Sequence, residues 1–108
     1  MTVIAKDVSL VTFINVFTVD PEDQQRLVDL LTKVTQTFVR HAGGFVSSSL
    51  HRSLDGRKVT MYAQWRTMED YERMRKDPAP VPFLQEALTF ATFEPGTYEV
   101  VATFAPDE

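Results

Sequence analysis

The chain has 108 residues, 44% of them hydrophobic and 24% charged, which suits one globular domain of the size a single core usually serves. Eleven Lys and Arg against fifteen Asp and Glu leave a net charge of −4, and an acidic chain without a basic cluster is a poor binder of phosphate backbones. The absence of cysteine excludes disulfides, thiolate metal sites and cysteine nucleophiles.

Residues 1–7 lack the apolar stretch of a signal peptide, and no apolar run approaches the ~20 residues of a membrane span. A cytoplasmic protein with neither nucleic-acid nor membrane partners is therefore expected, as one domain over residues 1–108 with an ordered core of about 8–104. The run Val8 to Val19 is rich in β-branched and aromatic residues and predicts a buried strand. Asp20 then offers an N-cap, Pro21 suits a first helical position, and Glu22 and Asp23 complement the helix dipole. From Pro21 to about His41, Leu27, Leu30, Leu31, Val34, Phe38 and Val39 recur at helical spacing and form one stripe against a sheet. His41 reads as a dipole-compensating residue before the Gly43-Gly44 cap and turn.

Phe45 to Leu54 and Arg57 to Trp65 read as strands around Asp55-Gly56, a type I′ hairpin signal. With Leu54 facing Arg57, counting back pairs Met61 with Leu50, Ala63 with Ser48, Trp65 with Val46 and Val59 with Arg52, all on one helix-facing side. The other side carries Ser47, Ser49, His51, Thr60, Tyr62 and Gln64. On the first strand Val11, Phe13, Asn15 and Phe17 share one face and Leu10, Thr12, Ile14 and Val16 the other. Both are apolar, so the strand should be central and covered on both sides, the second side by another copy of the chain.

Thr67-Met-Glu-Asp70 resembles a capping box and starts a helix to about Lys76. Prolines 78, 80 and 82 break it, a further helix from about Val81 to Leu88 turns Phe83, Leu84, Ala87 and Leu88 inward, and Thr97 to Phe104 forms the last strand. The order β-α-β-β-α-β, with the second helix broken, is that of an α+β, ferredoxin-like antiparallel sheet. The polar tail Pro106-Asp-Glu108 is expected to fray.

Common catalytic patterns are missing: there is no histidine-pair metal spacing, no phosphate loop and no serine elbow, so no metal site is expected. What remains is a set of polar groups on apolar faces. Asn15 interrupts the most hydrophobic strand, either as a structural amide closing a network or as a donor aimed into a pocket. Trp65 and Tyr71 read either as core and core-edge residues or as site residues, and Arg52 either snorkels to solvent or joins them. With Ser48, Phe13, Phe17, Met61, Met68, Met74, Phe83 and Leu84, these would form an adaptable apolar wall with few polar groups, suited to a flat, hydrophobic aromatic molecule.

The stretch Val11-Thr-Phe-Ile-Asn-Val-Phe-Thr-Val19, then Gly43-Gly-Phe-Val46, Leu50-His-Arg52, Tyr62-Ala-Gln-Trp65 and Tyr71, resembles the antibiotic biosynthesis monooxygenase family. The likeness runs from about Val8 to Phe104. It implies a homodimer, an α+β barrel made by two facing sheets. It also implies a cofactor-independent monooxygenase that oxidises anthrone-type polyketide intermediates to quinones, with molecular oxygen as co-substrate. The family pattern has an Asn four residues before a strand-end Trp and a Tyr six residues after it. Trp65 and Tyr71 match, whereas the position of the Asn is held by Met61. Asn15, Trp65 and Tyr71 are the catalytic candidates on this likeness, and the other residues named above bind substrate. Two rivals are a dimeric module that binds a ligand or assists another enzyme without chemistry, and an oxygen-independent cyclase or isomerase. A sibling group degrades haem with an Asn, a Trp and a His, but Phe83 to Leu88 contains no His, which disfavours that reaction.

Overall fold

The structure is a computed structural model that describes residues 10–107. Its elements are β1 (Val11–Val19), α1 (Gln24–Thr37), β2 (Phe45–Arg52), β3 (Lys58–Trp65), α2 (Met68–Arg75), α3 (Val81–Ala87), β4 (Ala91–Glu94) and β5 (Thr97–Tyr98). Single 3-10 turns, Pro21–Asp23 and Val39–His41, flank α1. The strands form one antiparallel sheet in the order β2-β3-β1-β4, with β5 also paired to β1. This is the ferredoxin-like arrangement, with the second helix split into α2 and α3. The first two residues of the expected opening strand, Val8 and Ser9, and the last residue of the tail, Glu108, lie outside the described residues.

β1 occupies the middle because both its faces are apolar. Phe13, Phe17 and Val19 are buried under the helices. Leu27 and Leu31 of α1 descend on the Phe17–Val59 end of the sheet, joined by Ala87 of α3. A second cluster forms at the other end, where Phe13, Ala63 and Trp65 gather Phe45, Tyr71 and Met74. The expected long first helix is shorter than its apolar stripe, because Phe38 leaves helical geometry at φ −122°, ψ −59°. Asp20 precedes the first 3-10 turn without a side-chain cap; its carbonyl accepts from Asp23 N–H at 2.9 Å.

The hairpin register obtained by counting holds for Leu50↔Met61, Ser48↔Ala63 and Arg52↔Val59. A bulge between Phe45 and Ser47 then replaces Val46 with Phe45 opposite Trp65, leaving Val46 partly exposed. The turn is not type I′, which needs positive φ at both central residues. Of the two central residues only Gly56 is left-handed (φ 81°), and Ser53 and Lys58 close a wider loop that contains Leu54 and Arg57. The Ser53 hydroxyl donates to Asp55 Oδ1 at 2.7 Å, and buried Gln24 ties the base by donating to the Ser53 and Lys58 carbonyls, each at 3.0 Å.

The last strand lies earlier than Thr97 to Phe104. β4 and β5 together edge β1 as one interrupted strand, with the break at Pro95-Gly96. Proline has no N–H for a ladder and is tolerated where an edge strand bulges. Here Gly96 instead accepts from Ile14 N–H at 3.0 Å. Residues 99–107 carry no regular structure, and Val101 and Phe104 are exposed. Leu88 is exposed as well, since α3 ends at Ala87 and directs Leu84 and Ala87 inward instead. Among the described residues, no helix is long and apolar enough to cross a membrane.

Candidate functional site

The two core clusters do not meet. Between them, under the helices, lies a cavity of about 180 Å³. Its floor is the helix-facing side of β1 and β3, from Phe13 and Trp65 at one end to Phe17 at the other. The pair at the middle of that floor is Asn15↔Met61, flanked by Phe13↔Ala63 and Phe17↔Val59. Neither a short amide nor a thioether fills the volume that aromatic neighbours would, and the gap follows.

Asn15 Oδ1 is the one buried side-chain polar atom that lacks a hydrogen-bond partner among the described residues. Such an atom costs about 1–3 kcal/mol, so an internal network does not account for it. Trp65 is almost fully buried (1% exposed) and stands edge-on to Phe45 at 5.4 Å and to Tyr71 at 5.8 Å between ring centroids. Tyr71 in turn stacks on Phe13 at 3.7 Å.

Local sequence explains how these rings are held. The Arg66 N–H donates to the Gly44 carbonyl at 2.8 Å, which closes the sheet immediately after Trp65. Thr67 then caps α2, its hydroxyl oxygen accepting from the Asp70 N–H at 3.0 Å and its proton going to Asp70 Oδ2 at 2.9 Å. Tyr71 therefore sits one turn into a helix whose start is pinned beside the strand carrying Trp65. The Thr67 hydroxyl, with Arg73 second, holds the Asp70 carboxyl below its ordinary pKa of 3.8.

Asn15, Trp65 and Tyr71 all line the cavity, together with Ser48, Phe13, Phe17, Met61, Met74 and Leu84. Arg52, Met68 and Phe83 do not. Arg52 is paired with Val59 on the edge strand and is exposed at the hairpin end. Met68 opens α2 and faces a second hollow beside Pro95 and Thr97. Phe83 lies one position before Leu84 on α3 and packs edge-on against Phe38 at 5.6 Å, outside the cavity. Sequence reasoning missed Arg75 and Asp77 at the wall, and Phe93, which stacks on Phe17 at 4.7 Å. Arg75 was legible in principle, because it falls four residues after Tyr71 on the same helical face.

Apart from Tyr71, the only ionisable side chains on the cavity wall among the described residues are Arg75 and Asp77. Asp77 Oδ1 accepts from Ala79 N–H at 3.0 Å. The histidines are elsewhere: His41 lines a separate hollow with Asp70 and Arg73, and exposed His51 bonds to Ser49 at 2.8 Å. The acidic groups of Asp20, Glu22 and Asp23 do come within 4.8 Å of one another, but none of them lines the cavity. The site is thus an apolar slot with an orphaned amide oxygen, an indole and a phenol.

The sequence pattern of the antibiotic biosynthesis monooxygenase family matches residues 10–80, which span both strands of the cavity floor and α2. The chain belongs to this family. A curated relative, tetracenomycin-F1 monooxygenase of Streptomyces glaucescens, is 39% identical over 104 residues, covering 96% of this chain and 93% of its own. Among solved structures of similar fold is the monooxygenase ActVA-Orf6 of Streptomyces coelicolor in complex with nanaomycin D. It is 27% identical, with TM-score 0.77 and coverage of 93% of this chain and 94% of its own. A variant of SnoaB, a cofactor-independent oxygenase from Streptomyces nogalater, superposes with TM-score 0.79 at 24% identity, over 92% of this chain and all of its own.

Proposed function

We propose that this chain is a cofactor-independent monooxygenase that converts an anthrone-type aromatic polyketide intermediate to its quinone with molecular oxygen. The observation that carries the reading is the unpartnered Asn15 Oδ1 in an apolar slot walled by Trp65 and Tyr71. Three further facts support it: the 39% identity to a tetracenomycin-F1 monooxygenase, the nanaomycin D bound by ActVA-Orf6 and the naming of SnoaB as cofactor-independent. A water needs roughly 10–15 Å³ by a comparable measure, so 180 Å³ offers room for a three-ring molecule.

In this reaction the anthrone loses a proton from its activated CH₂, and the anion passes an electron to oxygen. The two radicals combine to a peroxide at that carbon. Loss of water then leaves the new carbonyl: one oxygen atom is retained, and the other leaves with the two methylene hydrogens. Neutral Asn15 and Trp65 cannot take the proton, which goes to water at the open mouth or to an ionised phenol on the substrate. What the chain supplies is a dry, shaped cavity and donors around the developing oxyanion, the Asn15 Nδ2–H, the Trp65 N–H and the Tyr71 hydroxyl, while the unpartnered Asn15 Oδ1 is left to accept from a substrate hydroxyl.

The same proposal makes the working unit a homodimer. The sheet face away from the helices carries Ile14, Val16 and Tyr62, and Val101 and Phe104 stand exposed beyond β5, apolar surface that a second copy would cover. Light scattering reads this directly. The activity is tested by oxygen uptake with 1,8-dihydroxyanthrone, purified protein and a chelator, following quinone absorbance in parallel. Stoichiometric uptake well above the spontaneous rate is expected. Binding without acceleration would move the assignment to a ligand-binding module or an oxygen-independent cyclase.

A further inference from the structure

We propose that Arg75 is an anion-recognition residue, and that the aromatic substrate carries a carboxylate which Arg75 holds at the mouth of the cavity. This rests on the aromatic-ligand reading above and narrows the substrate class.

Among the described residues, Arg75 is the one cation on a wall that is otherwise almost entirely apolar. It also lines the adjoining hollow together with Glu72 and Lys76, so it stands where the two spaces meet. A cation placed at the entrance of an apolar slot is poorly suited to a neutral hydrocarbon and well suited to a ligand with one charged edge. Neither ion pair among the described residues involves Arg75: Arg26 pairs with Glu86, and Arg73 with Asp70. The one acidic group beside it on the wall, Asp77, accepts from the backbone at Ala79.

Arg75 is held by a phenol. Its Nη1 donates to Tyr71 Oη at 3.1 Å, and Tyr71 is itself fixed by stacking on Phe13. Two consequences follow from donor geometry. Because Oη accepts from Arg75, the Tyr71 O–H is left to donate elsewhere. Because only Nη1 is engaged, the Nε–Nη2 edge of the guanidinium remains, and that edge presents two parallel N–H groups that match the two oxygens of a carboxylate. An ionised phenol, with a single oxygen, would use half of it.

The test compares 1,8-dihydroxyanthraquinone-3-carboxylic acid with its methyl ester by titration calorimetry. The two share the ring system and differ in charge, and as quinones they do not turn over. The wild type is expected to bind the acid roughly ten-fold more tightly than the ester. In Arg75→Gln the ratio should fall to about one, and Arg75→Lys should keep part of it. Added salt should weaken the acid more than the ester. Equal affinities in the wild type, a ratio that survives Arg75→Gln, or no binding of either compound would overturn the assignment. Oxygen uptake with the neutral 1,8-dihydroxyanthrone separates the two proposals. Uptake without acid preference leaves the monooxygenase standing and removes the anion site, whereas acid preference without uptake does the reverse.

Discussion

Asn15 and Met61 face each other across the β1–β3 ladder, an amide against a thioether at the boundary between the two halves of the core. The resemblance drawn from the sequence implies an amide at the β3 position. This chain places an amide directly opposite, on the neighbouring strand, where Cβ atoms are separated by roughly 5 Å. Both positions address the same cavity.

That relationship predicts a rescue. Asn15→Ala should lower kcat by roughly 10²-fold, the scale for losing one preorganised donor. Because Asn15 Oδ1 has no internal partner, its removal should leave the melting temperature within about 4 °C of the wild type. Adding Met61→Asn to Asn15→Ala should recover about ten-fold of the lost turnover. Oxygen-uptake rates for the single and double variants check this. A double variant no faster than Asn15→Ala would show that the strand carrying the amide matters, and not only the cavity it reaches.

Trp65→Phe should separate chemistry from assembly. The indole packs edge-on between Phe45 and Tyr71, so a smaller ring leaves a gap worth roughly 1–3 kcal/mol but keeps an aromatic face for both neighbours. Turnover should fall about 10²-fold through loss of the N–H donor, while light scattering gives the same mass as the wild type. Unchanged kinetics would remove Trp65 from the reaction.

Most of the fold was legible because its pattern is local and periodic. The alternation in β1 marks its two apolar faces, and counting from Asp55-Gly56 yields the β2–β3 pairing as far as Ser48↔Ala63. The count fails at Val46 because a bulge leaves no mark in hydrophobic alternation. It fails again at the fourth strand, since Ala91–Glu94 is short and Pro95-Gly96 reads as its boundary and not as an interruption within it. The cavity floor was visible for the same reason as the sheet: Asn15 breaks an apolar strand. The mouth was less so: spacing puts Arg75 on the same helical face as Tyr71, but a charged residue at a helix end looks the same whether it meets solvent or, as here, a phenol over a cavity.

Gly44 joins the parts of the site. It is left-handed (φ 87°), its carbonyl accepts from Arg66 N–H, and a Cβ placed on it would run into the Asp70 carboxylate. Gly44→Ala combines backbone strain of about 1–2 kcal/mol with displacement of the start of α2. The urea midpoint should fall, and KM for the anthrone should rise, because Tyr71 and Arg75 ride on that helix. Gly43→Ala is the control: open space surrounds its Cβ position and its φ is not positive, so both quantities should stay near those of the wild type.

Acid should loosen the same helix, with a sign set by Asp70. The Thr67 hydroxyl and then Arg73 lower its pKa in the folded chain below 3.8. A carboxyl depressed by folding stabilises fully above its unfolded pKa and loses that contribution as pH falls through the folded value. Asp55 shifts the same way through Ser53 and the Arg57 N–H, so the hairpin turn adds to the trend. Urea midpoints should therefore be flat from pH 7 to about 5 and decline below about pH 4. Thr67→Ala removes the cap and should lower the melting temperature at pH 7 by roughly 4–8 °C. Its distance from the wild type should shrink as the pH falls through the folded pKa of Asp70, which lies below 3.8, because a protonated carboxyl no longer draws on the hydroxyl as a carboxylate does. A gap that stays constant through the acid transition of Asp70 would mean that Thr67 acts on the Asp70 N–H alone, and that the carboxylate does not help to hold Tyr71 beside Trp65.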